Sequence, residues 1–332
     1  MTIAAPYLLF LGDAPDMLAA KVALGVKQWR PENCVGQLRM DGCNADAGVP
    51  DMTIEEAVAK GARTLMVGVA NRGGVIAPSW VDVLKQGLEA GMDLAAGLHN
   101  RLADVPALRE TAARLGRRIH DVRTPSVQYP IGDGRKRAGK RLLPVGTDCS
   151  CGKMFTALAL EAEMRSRGMK ATFRATGQTG ILITGEGVPL DAVVADFISG
   201  AVEWLSPDND DDHWDLIEGQ GSLMHPSFAG VTLGLIHGAQ PDAMVICHEP
   251  TRTHMRGLPH YRVPPIKVVM EACLDAARLT NPQAKFVGAA VNTSAMSAEQ
   301  AQAYLGKVSN DLGLPACDPV RTGVWPIADA LE

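Results

Sequence analysis

The chain has 332 residues, 46% of them hydrophobic and 21% charged, with a mean hydropathy of +0.02. This composition excludes a disordered chain and suffices for two core-bearing units. With 37 acidic and 32 basic residues the formal net charge is −5, so nothing draws the whole chain to nucleic acid or an anionic membrane, and an anionic ligand needs a local site. No apolar run reaches the roughly 18 to 20 residues that span a bilayer, and the start MTIAAPYLLFLGDAPD lacks the basic region of a signal peptide. The expectation is a cytoplasmic protein whose seven cysteines are reduced thiols rather than a disulfide framework.

The first third alternates strand and helix patterns. Residues 7–11 read as an apolar strand, 16–29 as a helix, 34–38 as a strand, 53–60 as a helix and 64–69 as a β-branched strand entering the loop Asn71-Arg72-Gly73-Gly74. Ser79 is the expected N-cap of a helix to residue 90, and strands follow at 93–96 and 118–122. This alternation predicts a Rossmann-like α/β domain over 1–130; no GxGxxG supports a dinucleotide site in it. Between 123 and 141 prolines and glycines accumulate and RKRAGKR concentrates basic residues, so 131–141 is read as a basic linker, either solvated or lying near an anionic ligand. The acidic run at 208–212 reads as a solvated loop, because it lacks the spacing of a metal site.

The strongest signal begins at Leu142. The apolar strand LLPV enters Gly146-Thr147-Asp148-Cys149-Ser150-Cys151-Gly152-Lys153 and then a helix whose Glu161 and Arg165 are four apart and whose C-terminal glycine is Gly168. Strand, glycine-bounded loop, lysine and helix form a phosphate loop: successive N–H groups cradle a phosphate and the ammonium neutralises it. Five residues separate the glycines where the common loop has four, and Met154 stands where Ser or Thr would place a hydroxyl on Mg²⁺. Such a loop is suited to holding a phosphorylated ligand without cutting it.

The five-residue spacing resembles the GTDT-x-x-GK loop of the dethiobiotin synthetase family. RATGQTG at 174–180, WDLIEGQG at 214–221 and the strand 286–291 ending in Asn292 extend that likeness, although Arg174 replaces a lysine and a proline is missing. Over nearly the whole chain GTDCSCGK, RATGQTG, DFISGAVEWLSP, IEGQGSLMHP, ANRGGVIAPSW and GLHNRL resemble the P-loop family designated DUF1611, and within it the members of bacterial D-glutamate catabolism. The resemblance implies a dethiobiotin-synthetase-like parallel-sheet P-loop domain over 131–332. It also implies transfer of an acetyl group from acetyl-CoA to the amine of D-glutamate on a fold unlike that of the usual acetyltransferases. The alternative, suggested by the P-loop half alone, is an ATP-dependent ligase or kinase of the dethiobiotin synthetase type, with Thr156 as a substitute Mg²⁺ ligand.

For acetyl transfer, residues Gly146 to Lys153 are the expected holders of the coenzyme phosphates. Amine acetylation also needs a base and oxyanion donors. Glu218, Asp196 and Asp148 are the candidate bases; Gln178, Thr179 and loop N–H groups are candidate donors. A dicarboxylate calls for cationic forks, and Arg174, Arg72 and Arg252 are the candidates, with Thr179 beside them. Cys149 or Cys151 could carry the acetyl group instead, as a thiolate at a helix N-terminus; direct transfer is the preferred reading. His99 is a site residue by resemblance alone. His248, His254 and His260 lack metal-ligand spacing, and no metal is expected. The expected ligands are small molecules, the transfer site is expected between the two domains, and a homo-oligomer, a dimer, is the base-rate expectation.

Overall fold

The computed structural model describes residues 2–332 apart from 71–73 and 126. The chain forms two compact units, one of Met1–Ser126 with Gly177–Ala192 and one of Val127–Thr176 with Val193–Glu332. A single boundary near residue 130 therefore misses one excursion: Gly177–Ala192 leaves the second unit and packs in the first.

In the first unit β1 (Tyr7–Gly12), α1 (Lys21–Trp29), β2 (Cys34–Arg39), α2 (Ile54–Ala59), β3 (Thr64–Val67), α3 (Pro78–Glu89), β4 (Asp93–Ala96), α4 (Pro106–Leu115) and β5 (Ile119–Asp121) alternate as the pattern predicts. The strands form a parallel sheet in the order β2-β1-β3-β4-β5, a doubly wound arrangement. Tyr7 to Leu11 are all buried, as expected of a central parallel strand. The helix expected from residue 16 starts only at Lys21, because Asp16 turns the chain by accepting from the Ala19 N–H at 2.8 Å. Ser79 is not the N-cap of α3: Pro78 already occupies the first turn, behind Ala77.

The second unit has β6 (Lys140–Gly146), α5 (Lys153–Ser166) and β7 (Ala171–Arg174). After them α6 (Gln178–Thr184) belongs to the first unit. Next come α7 (Ile198–Leu205), β8 (Trp214–Ile217), α8 (Ala229–Ala239), β9 (Ala243–His248), the hairpin strands β10 (His254–Met255) and β11 (Leu258–Arg262), α9 (Ile266–Arg278), β12 (Lys285–Val291), α10 (Ala298–Leu312), β13 (Ala316–Cys317) and α11 (Trp325–Asp329). Six parallel strands run β13-β12-β9-β6-β8-β7. The chain builds outward from β6 on one side and then crosses to the other, so the loop after β6 lies at the switch point, where open α/β sheets bind ligands.

The basic segment is exposed at Arg135, Lys136 and Lys140 but turns inward at Arg137 and Arg141. Arg141 is 1% exposed and gives its guanidinium to Ser206 Oγ at 3.0 Å and to the carbonyls of Arg137, Ala138 and Pro207 at 2.8 to 3.1 Å. Arg137 donates to the carbonyls of Glu203, Ser206 and Gly238, and burial lowers its pKa to about 10. Lys136 pairs with Asp242 at 2.6 Å. Carbonyl dipoles, which a sequence does not display, absorb the charge of Arg137 and Arg141. The acidic run is a surface loop, as expected; its Asp210 and Asp212 each meet Lys170 at 2.9 Å.

Candidate functional site

The strand LLPV is buried at the centre of the sheet and delivers the loop at its C-terminal end. Gly152 adopts φ +112°, a conformation that admits little but glycine, and turns the chain into α5. Lys153, 5% exposed, folds back so that its ammonium donates to the Asp148 carbonyl at 2.9 Å and lies 3.8 Å from Cys151 Sγ. Among the described residues no protein acceptor meets the N–H groups of Ser150 and Gly152. Unoccupied amides, the N-terminus of a fourteen-residue helix and a lysine in one small volume are what an anionic ligand requires.

Asp148, 1% exposed, holds the loop in shape. One oxygen accepts from the Cys149 N–H at 2.7 Å; the other accepts from Arg252 Nη1 at 2.9 Å and the Arg256 N–H at 2.8 Å. With three donors on its carboxylate, this group anchors rather than accepts protons. Arg252, expected as a substrate fork, is likewise consumed: it donates to the carbonyls of Cys149 and Ser150 and pairs with Glu249 as well as Asp148. Arg174 donates from Nε to Asp215 at 2.9 Å, and Asp215 also accepts from Ser206 Oγ at 2.6 Å, so Arg174 is tied to a buried polar network.

Glu218 follows β8, is 4% exposed, and accepts from the Thr176 N–H at 2.9 Å, while its carbonyl takes the Thr176 hydroxyl at 2.6 Å. Its neighbour Gly219 brings it to the loop: a Cβ there would lie 1.9 Å from the Pro144 carbonyl and 2.9 Å from Lys153 Cδ, so only glycine allows this approach. Asp196 is exposed in a 3₁₀ turn, away from any polar partner among the described residues. Gln178 and Thr179 open α6 in the first unit, packed at Gly97 and Gly25 respectively. Arg72 lies outside the described residues. His99 in the first unit stands against Gly74, where a Cβ would come within 2.4 Å of its backbone nitrogen.

Two histidines stand at the loop, His225, which the sequence reading missed, and His248, which it weighed only as a metal ligand. His248 ends β9 beside the loop, its Nδ1 2.9 Å from Thr147 Oγ1 and its ring stacked on Tyr304. Burial, with Arg252 nearby, lowers its pKa to about 4, so it is neutral. His225, 1% exposed, accepts from the Ser227 N–H at Nδ1 and faces the Arg256 carbonyl through Nε2 at 3.3 Å. It approaches Asp148 and Cys149 closely enough to form a trio of metal-ligand type, but the Asp148 oxygens are already occupied and Arg252 crowds the place with positive charge. The available signal was position: one histidine ends an apolar strand of the phosphate-loop sheet, and the other stands inside the motif IEGQGSLMHP.

The thiols do not favour an acyl carrier. Burial pushes the Cys149 thiol above its ordinary pKa despite the pull of Lys153, and the Cys151 thiol donates to the carbonyls of Asp148 at 3.1 Å and Cys247 at 3.4 Å. Thr156, the alternative magnesium ligand, is fully buried and donates its hydroxyl hydrogen to the Gly152 carbonyl at 3.0 Å.

Sheet order, loop and lysine define the second unit as a P-loop domain beside a Rossmann-like one. The chain belongs to the DUF1611 family: the family's P-loop domain, described as a domain of unknown function, matches residues 130–328, and its Rossmann-like domain matches residues 34–125. A D-glutamate N-acetyltransferase of Tritonibacter scottomollicae is 62% identical over 99% of both chains. A second protein of that name, from a Pseudoalteromonas species, is 50% identical over 98% of both. The crystal structure of a DUF1611 family protein from Anabaena variabilis superposes with a TM-score of 0.84 at 33% identity, covering 99% of each chain.

Proposed function

We propose that this chain is an N-acetyltransferase that moves the acetyl group of acetyl-CoA to the amine of D-glutamate. The full-length identity of 62% to a protein of that activity carries the reading, and the phosphate loop gives it a physical basis. The loop amides and Lys153 suit the phosphates of the coenzyme, while Met154 stands where a hydroxyl would meet a nucleotide's magnesium.

In the reaction the amine nitrogen bonds to the thioester carbonyl carbon, the carbon–sulfur bond breaks, and the departing coenzyme thiolate takes the proton that the nitrogen sheds on becoming an amide. An ammonium substrate must first lose a proton. Glu218 is the base this reading favours, because Asp148 is saturated with donors and Asp196 stands in the open. Neutral His248 adds a polar group at the loop's edge suited to hydrogen bonding rather than proton abstraction. The loop amides, with Gln178 and Thr179, remain the proposed oxyanion donors, and Arg174 and Arg72 the proposed contacts for the substrate carboxylates. The small-molecule ligands need no metal in this scheme, and a cytoplasmic homodimer is its simplest setting.

The test is to incubate the protein with acetyl-CoA and either enantiomer of glutamate in EDTA, following thiol release and product mass. Stoichiometric thiol and N-acetyl-D-glutamate support the reading. Absence of both, with turnover of MgATP instead, would replace it by the ligase or kinase alternative.

A further inference from the structure

The charges around the phosphate loop do not add up to an anion site without one more group. Lys153 and Arg252 bring two positive charges, but Arg252 is paired with both Asp148 and Glu249, and Glu218 lies next to Gly219 at the lysine stem. Two cations thus stand against three carboxylates. Acetyl-CoA carries a pyrophosphate and a 3′-phosphate, a charge that amide dipoles and one half-neutralised cluster cannot balance alone.

The missing cation stands at the tip of the hairpin formed by β10 and β11. From Thr251 to Arg262 the sequence TRTHMRGLPHYR contains three arginines and no acidic residue. The tip is fixed to the loop through its backbone: the Arg256 N–H donates to Asp148, and the Arg256 carbonyl faces buried His225. Gly257, at φ +80°, makes the tight turn behind it. The Arg256 side chain is exposed, and among the described residues no carboxylate lies within ion-pair distance of it. Its charge is nevertheless felt at the Cys149 thiol inside the loop.

We propose that Arg256 is a phosphate-binding residue of this site, a side-chain clamp held by its own backbone against the loop that supplies the amides. The proposal rests on the reading of the loop as a phosphate holder and goes beyond it by assigning the cation. Asp148 and His225 are then positioning residues, since they fix the hairpin tip and touch no ligand themselves.

Calorimetric titration of the full chain with acetyl-CoA, 3′-dephospho-CoA and inorganic pyrophosphate, for wild type, Arg256→Gln and Arg256→Lys, tests this. Both substitutions keep the backbone N–H, so the hairpin anchor survives; circular dichroism confirms the fold. The glutamine variant should weaken acetyl-CoA about tenfold, and lysine should recover part of the loss. A loss shared by all three ligands assigns Arg256 to the pyrophosphate, and a loss confined to acetyl-CoA assigns it to the 3′-phosphate. Dissociation constants within twofold of wild type for every ligand would overturn the proposal. If wild type binds pyrophosphate in an Arg256-dependent way but not acetyl-CoA, the clamp stands and the assignment of the acyl donor fails.

Discussion

The second unit contains two basic segments of similar appearance in sequence and opposite fate in structure. In the run from Arg135 to Arg141, Arg137 and Arg141 fold back onto the protein, their guanidinium groups spent on carbonyl oxygens and on Ser206. The hairpin that follows Arg252 holds the Arg256 side chain in the open, without an ion-pair partner among the described residues. What separates a stitch from a site is whether the donors are already satisfied, and charge density does not report it.

The comparison breaks most sharply at Lys153. Lys153→Ala should lower kcat/KM for acetyl-CoA by about 100-fold or more, as expected of a charge-assisted contact in a desolvated loop; thiol release measures it. Arg141→Met should act on stability instead. Removing it strands the buried carbonyls it serves and takes the donor from Ser206 Oγ, a loss of about 3 kcal/mol in urea unfolding, while the remaining native protein keeps its affinity for acetyl-CoA.

His248 gives a pH signature. Its folded pKa of about 4 lies below the unfolded value near 6.5, so the unfolded chain binds the proton first as pH falls. Stability from this group is full above about 6.5 and declines toward pH 4 by about 2 to 3 kcal/mol. His248→Gln should flatten that part of the urea-derived stability profile. The smallest effect belongs to the loop thiol: Cys149→Ser, which retains the backbone amide, should lower kcat by no more than about threefold, whereas near-abolition with an acetylated enzyme in wild type would restore the acyl-carrier route.

The loop was legible because its determinants are contiguous: strand, glycines, lysine and helix occupy one stretch of chain. The doubly wound alternation of the first unit was legible for the same reason, through its buried strands. The engagement of Arg252 was not legible because its partners in the loop lie over 100 residues away in sequence. The basic run was misjudged because backbone carbonyls carry no sequence signal. The passage of Gly177–Ala192 into the first unit brings α6 close against Gly97, where a Cβ would lie 3.1 Å from Gln178 Cβ, a matter of shape rather than pattern.

The central claim is that this phosphate loop holds an acyl coenzyme and no longer a nucleotide. Parallel calorimetric titration of wild type and Lys153→Ala with acetyl-CoA and MgATP examines it directly. The account predicts acetyl-CoA binding that the substitution removes and no heat from MgATP; tight MgATP binding with silence toward acetyl-CoA would contradict it.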